Sequence, residues 1–216
     1  MEVTTYVPFI DPKLWIIDLD GTLIDTKSAN QKVIEVVMQE LNQPICQEVI
    51  DRNLSVGTVK VLELLLQKHP KLVPKASYLA LELYKSEEYL TLLRPYQEMI
   101  RLVTHLRKKN KVAIATNRAE STKHILKHHR IEDLFHAVVH RDMVQNGKPH
   151  PEMLLFLLNT FRLTESEAIF IGNDWPDMQA GVLAKITTVV LEEKDHKTFV
   201  DQVIKKGPRS FFKEAL

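Results

Sequence analysis

Four short apolar runs mark the chain, at Leu14–Ile17, Val112–Ala115, Ala168–Ile171 and Thr187–Leu191, with a shorter fifth at Ala137–Val139. Each has the length of a buried strand, and the first runs straight into Asp18 and the turn residue Gly21. Between them, Glu98–Lys109, Ser121–His129, Pro151–Phe161 and Asp177–Ala184 place apolar side chains on one helical face. Strand and helix therefore alternate, which predicts an α/β fold with a parallel sheet and helices on both of its sides.

The stretch 27–94 breaks that rhythm. It offers helical patterns at Gln31–Leu41, Thr58–His69 and Ala76–Leu92, with Pro44, Pro70 and Pro74 between them, and no run of strand character. An all-α insert between the first strand and the rest of an α/β unit is expected above the strand ends, where open sheets bind ligands. The expected division is thus a core of 1–26 and 95–216 and a helical insert of 27–94.

Composition narrows the setting. At 216 residues and 44% hydrophobic, the chain can bury one full core and a smaller second one. Lys and Arg number 29 against 28 Asp and Glu, so no overall field draws the molecule to nucleic acid or an anionic membrane. The lone Cys46 cannot form an internal bridge. Met1–Ile10 lacks the basic start and apolar core of a secretion signal, and no apolar run approaches the ~20 residues needed to cross a bilayer. A cytoplasmic protein is expected, with neither nucleic acid nor membrane as partner.

The densest chemistry is the string Asp18-Leu19-Asp20-Gly21-Thr22-Leu23-Ile24-Asp25-Thr26, directly after the first strand. Two carboxylates at a spacing of two, bent by a glycine, can both be presented at a strand end. One can attack phosphorus while the other protonates the departing oxygen. An isolated Asp-Gly would instead be an ordinary turn. His124, His128, His129, His136 and His140 also cluster in sequence, but Lys123, Lys127 and Arg130 among them would repel a cation.

This string resembles the first motif, Asp-x-Asp-Gly-Thr, of the haloacid dehalogenase-like hydrolases. The likeness is to their phosphatase branch with a helical cap after that motif, among members like phosphoglycolate phosphatase and β-phosphoglucomutase. The resemblance implies a Rossmann-like core with 27–94 as the cap, Asp18 as nucleophile and Asp20 as general acid and base. Thr116, after the strand Val112–Ala115, matches the second motif, and Thr116, Asn117 and Lys148 would hold the phosphate. Lys148, in Gly147-Lys148-Pro149-His150-Pro151, matches the third motif and would offset the crowded negative charge. The fourth motif falls on Gly172-Asn173-Asp174-Trp175-Pro176-Asp177 and departs from the usual Gly-Asp-x-x-x-Asp, because Asn173 stands where the first acid belongs. The expected metal set is therefore Asp18, Asp20 through its main-chain carbonyl, and Asp174, with Asn173 and Asp177 in support of Mg2+.

The activity implied is Mg2+-dependent hydrolysis of a small phosphorylated metabolite through a phospho-aspartate, by a monomer or homodimer. A phosphomutase using the same aspartate, and a binding or regulatory member weakened at Asn173, are the alternatives.

Overall fold

The computed structural model describes residues 2–4, 12–54 and 57–208. By internal contacts the chain divides into two compact units, Met1–Ile24 with Pro95–Leu216, and Asp25–Arg94.

The first unit is built on a six-stranded sheet: β1 (Glu2–Thr4), β2 (Leu14–Ile17), β5 (Lys111–Thr116), β6 (Ala137–His140), β7 (Ala168–Gly172) and β8 (Thr187–Val190), in spatial order β1-β8-β7-β2-β5-β6. The two remaining short strands, β3 (Ile24–Asp25) and β4 (Arg94–Pro95), pair with each other where the chain leaves and re-enters this unit. The five runs read from sequence are the five parallel strands, with β2 in the centre between β5 and β7. Every residue of β2 is fully buried, as expected of a strand covered on both faces. β1 was not foreseen. It joins the β8 edge antiparallel, and three residues inside a segment without alternation leave no periodic signal.

Helices α6 (Gln97–Leu106), α7 (Ser121–His128), α8 (Glu152–Phe161), α9 (Trp175–Ala184) and α10 (His196–Lys206) complete the unit. One sheet face, with Leu14, Ile16, Ala113, Ala115 and Phe170, packs against Met153, Leu154 and Leu157 of α8 and Ala180 and Ala184 of α9. Burial of a side chain the size of Phe170 means that its truncation to Ala costs about 3–5 kcal/mol.

The second unit is helical: α1 (Lys27–Glu40), α2 (Gln47–Asn53), α3 (Thr58–Leu65), α4 (Val73–Leu83) and α5 (Glu87–Leu92). The single helix expected over Ala76–Leu92 is in fact α4 and α5. Ser86 separates them, its hydroxyl donating to the Leu83 carbonyl and accepting from the Tyr89 amide at 3.1 Å, an N-cap that starts a new helix. Helix α2 went unread because its seven residues bury only Ile50. The polar side chains Asp51, Arg52, Asn53 and Lys60 are each bonded to a residue of their own helix. A cavity of about 390 Å³ in this unit, lined by Ser28, Gln31, Lys32, Glu35, Glu88 and Leu92, contains none of the motif residues.

Candidate active site

The motif residues meet at the C-terminal ends of the central parallel strands, all within the first unit. Asp18 follows β2, Thr116 ends β5 and Gly172 ends β7, while Lys148 reaches in from the loop before α8. In open α/β sheets this end is where ligands bind.

Asp18 is fixed from its backbone outward. Its amide donates to the Ile171 carbonyl of β7 at 2.8 Å, which extends the β2–β7 ladder by one bond. The chain then folds back on itself: the amides of Leu23 and Ile24 both donate to the Leu19 carbonyl, and Gly21 takes a φ of +77°. A side chain at Gly21 would be strained by that φ, and its Cβ would also lie 2.4 Å from Nδ2 of Asn173. Glycine therefore lets the first and fourth motifs touch.

Lys148 is the hub. Its ammonium donates to Oδ1 of Asp18 at 2.5 Å, Oδ1 of Asp177 at 2.6 Å and the Ala115 carbonyl at 2.9 Å, so all three of its hydrogens have acceptors. The three charged residues are 7%, 5% and 3% exposed for Lys148, Asp18 and Asp177 respectively. Burial alone would lower the lysine pKa, but the carboxylates of Asp177 and Asp18 outweigh it and hold the group above the ordinary lysine value. For Asp18 the balance falls the other way. Burial is the largest influence and raises it, Lys148 pulls it down, and Asp177 and Asp20 push it up again, to about 7.

The loop that carries Lys148 is held at several points. Asn117 accepts from the Lys148 amide at 2.8 Å and donates to the Lys148 carbonyl at 2.7 Å. The Glu152 carboxylate accepts from the amides of Gln145 and Asn146, both at 2.9 Å. The Asn117 side chain, expected on the phosphate, thus grips the backbone of Lys148. Gly147 permits that grip, since a Cβ there would stand 2.6 Å from Oδ1 of Asn117 and 2.8 Å from Cδ of Arg141. Gly147→Ala is expected to lower kcat/KM by about ten-fold or more through a displaced Lys148. Steady-state kinetics alongside a thermal melt will check this, and unchanged kinetics would remove the grip from the account of the site.

The fourth motif uses its acids unevenly. Asp174 is the N-cap of α9: its carboxylate accepts from the Trp175 amide at 2.7 Å and takes part in a capping box with Asp177. Asp177 turns inward, accepting on Oδ1 from the Lys148 ammonium and on Oδ2 from the amide of Asn173 at 3.0 Å. Gly172 makes room for it, because a Cβ there would lie 2.4 Å from the Asp177 carboxyl carbon. Asn173 reaches the first motif instead: Thr22 Oγ1 lies 3.2 Å from its Oδ1 and 3.4 Å from Oδ2 of Asp18. The structure therefore brings Asn173 beside Asp18 and bonds Asp174 into a helix start. Asp177, expected to support a metal, is the second anion of the lysine.

Asp18 and Asn173 thus direct one anionic and one neutral oxygen at a single hydroxyl, whose one proton serves only one of them at a time. Hard oxygens of this kind suit Mg2+, which takes one or two carboxylates and keeps several waters. No group of three or more His, Cys, Asp or Glu converges as a metal cage among the described residues, so the ion's remaining ligands would be main-chain oxygen, water and substrate. The neutral Asn173 makes this set weaker for a cation than one with a second carboxylate.

Two features escaped the sequence reading. Thr116, buried at the end of β5, accepts the Arg118 amide at 3.1 Å on its hydroxyl. The Arg118 side chain crosses to Asp20 and holds its carboxylate with Nε at 3.0 and 3.1 Å and Nη2 at 2.6 Å. Arg118 stood next to the second motif, but nothing in the spacing pairs it with a residue 98 positions earlier.

A parallel sheet that gathers Asp18, Asp20 and Thr116 after its central strands, with Lys148 from the loop before α8 and Asp177 from the first turn of α9, is the arrangement of a hydrolase of one family. Residues 15–191 match the family described as haloacid dehalogenase-like hydrolase, and the chain belongs to it. It is 26% identical over 195 residues to the phosphoglycolate phosphatase of Pseudomonas putida, covering 83% of this chain and 69% of that one. It is 28% identical over 191 residues to the pyrophosphatase PpaX of Bacillus cereus, covering 82% and 81%. Among solved structures it resembles a HAD-superfamily hydrolase of subfamily IA from Geobacter sulfurreducens, with a TM-score of 0.71, 22% identity and coverage of 89% and 96%. No described helix is long and apolar enough to cross a membrane.

Proposed function

We propose that this chain is a Mg2+-dependent phosphatase that hydrolyses a small phosphorylated metabolite through a phospho-aspartate at Asp18. The observation that carries the reading is the buried Lys148 ammonium, shared between Asp18 and Asp177 at the strand ends beside Thr116. A carboxylate kept next to a fixed cation, on the loop with a second acid two residues on, is equipped to take a phosphoryl group.

In the first half-reaction an Asp18 oxygen forms a bond to phosphorus. The bond from phosphorus to the ester oxygen breaks, and Asp20 gives that oxygen a proton. In the second half, Asp20 takes a proton from water as the water oxygen attacks phosphorus, and the Asp18–phosphorus bond breaks to release inorganic phosphate. Lys148 stays charged throughout and offsets the negative charge gathered at the phosphoryl oxygens. Mg2+, held by Asp18, the Asp20 carbonyl and the oxygen of Asn173, would supply further positive charge to the same oxygens. The helical residues 27–94 act as the cap that selects the leaving group, and relatives named for phosphoglycolate and pyrophosphate point to small anionic substrates.

The purified protein is expected to release inorganic phosphate from p-nitrophenyl phosphate and from several metabolite monoesters when Mg2+ is present. Chelation with EDTA should remove at least about nine-tenths of that activity, and added Mg2+ should restore it. Absence of metal-stimulated release from a broad ester panel would sink the proposal.

A further inference from the structure

The guanidinium that grips Asp20 has no part in the reaction just described, yet its geometry is specific. Arg118 meets the carboxylate with two of its nitrogens, the paired arrangement that fixes a carboxylate's plane as well as its position. Its side chain is 6% exposed, against 30% for Asp20. The arginine is thus the more deeply buried partner, and the aspartate is the one more open to a ligand. Arg118 is itself set by the second motif, since its amide donates to Thr116 Oγ1 and its carbonyl accepts from the Arg141 amide at 3.0 Å. A rigid chain of contacts therefore runs from the end of β5 to the acid on the loop after β2.

We propose that Arg118 is a positioning residue for leaving-group chemistry, holding the Asp20 carboxyl in the plane from which it exchanges a proton with the ester oxygen. The inference rests on the phosphatase reading. Lys148 and Asp177 serve the phosphoryl group, whereas the paired nitrogens of Arg118 serve the acid. A lysine would supply the charge without the two-nitrogen fork, and so would not fix the plane.

The readout follows from what Asp20 does. An alkyl phosphate expels a strongly basic oxygen and needs a proton delivered. p-Nitrophenyl phosphate expels a stable phenolate and needs little help. Arg118→Met is expected to lower kcat/KM, which reports the steps through leaving-group departure and leaves out the hydrolysis of phospho-Asp18 common to every ester, by about a hundred-fold on an alkyl monoester, within the range attributed to a positioned acid, and by less than about ten-fold on p-nitrophenyl phosphate. Arg118→Lys, which keeps size and charge and guards against a folding defect, should show the same split in milder form. Placed on Asp20→Asn, Arg118→Met should cost nothing further, because the group it acts through is gone.

Equal losses on the two esters, or a full additional loss in the Asp20→Asn background, would overturn the proposal. A wild-type protein that hydrolyses neither ester with Mg2+ would instead overturn the phosphatase reading, so the two failures are distinct.

Discussion

Asp18→Asn is expected to abolish phosphate release, with kcat down by about ten-thousand-fold or more, while the melting temperature stays the same or rises. The amide retains an oxygen for the Lys148 ammonium, and that lysine keeps Asp177 and the Ala115 carbonyl. What disappears is the charge proposed to attack phosphorus. That charge is also the least comfortable in the site, since burial and the neighbouring Asp177 and Asp20 raise its pKa to about 7. The sign is direct: between the ordinary 3.8 and about 7 the native chain holds a proton that the unfolded chain has lost. Asp18 therefore contributes less to stability as pH rises through that interval. Phosphate assays and thermal melts on the same preparation give the check, and activity above about one percent of wild type would displace Asp18 as nucleophile.

Lys148→Met is expected to fail on both counts. It strands two carboxylates, those of Asp18 and Asp177, in a site where both are nearly fully buried. Removing one partner of a buried ion cluster costs about 3–5 kcal/mol, which lowers the melting temperature of a domain this size by about 10 °C. The loss should depend on pH. With the cation gone, the Asp18 carboxyl loses the influence that pulls its pKa down and takes up a proton still more readily in the folded state than in the unfolded one. The variant then recovers stability as pH falls from neutral toward 5, a recovery larger than any seen in wild type. Melts at pH 8 and pH 5 test this, and a variant as stable as wild type at pH 8 would contradict the lysine's role as hub. Asp177→Asn on the same background should relieve part of the damage.

The parallel strands were legible because each is a short unbroken apolar run, and burial on both faces leaves no other pattern available to such a strand. Helices with a wide apolar face, such as α6 and α8, were legible for the same reason. What escaped were elements too short to repeat, namely β1, α2 and the β3–β4 pair, and the break at Ser86, where a cap interrupts a continuous helical period. The site divides in a similar way. Asp18, Asp20 and Thr116 stand out by type and by place after apolar strands, and Lys148 by its place between Gly147 and the prolines before a helix. The assignment of partners does not, because it depends on which side chain turns inward at a crowded bend. Asp174 and Asp177 look equivalent as letters, yet Asp177 fits the space left by the missing Cβ of Gly172 and reaches the lysine, while Asp174 caps α9. Asn117 and Arg118, adjacent in the chain, go to Lys148 and Asp20 in turn.

Helix α9 touches the sheet with almost no side chain between them: a Cβ on Gly181 would overlap Oγ1 of Thr188, one strand over on β8. Gly181 lies one helical turn beyond Asp177, so the seat of the helix on its neighbour sets how far its first turn extends toward the strand ends. The depth of the anion that grips the lysine is gauged on β8, the strand beside the one that ends at Gly172, and a single methyl added to Gly181 would act like a shim under a lever, retuning the electrostatics of a site it never meets.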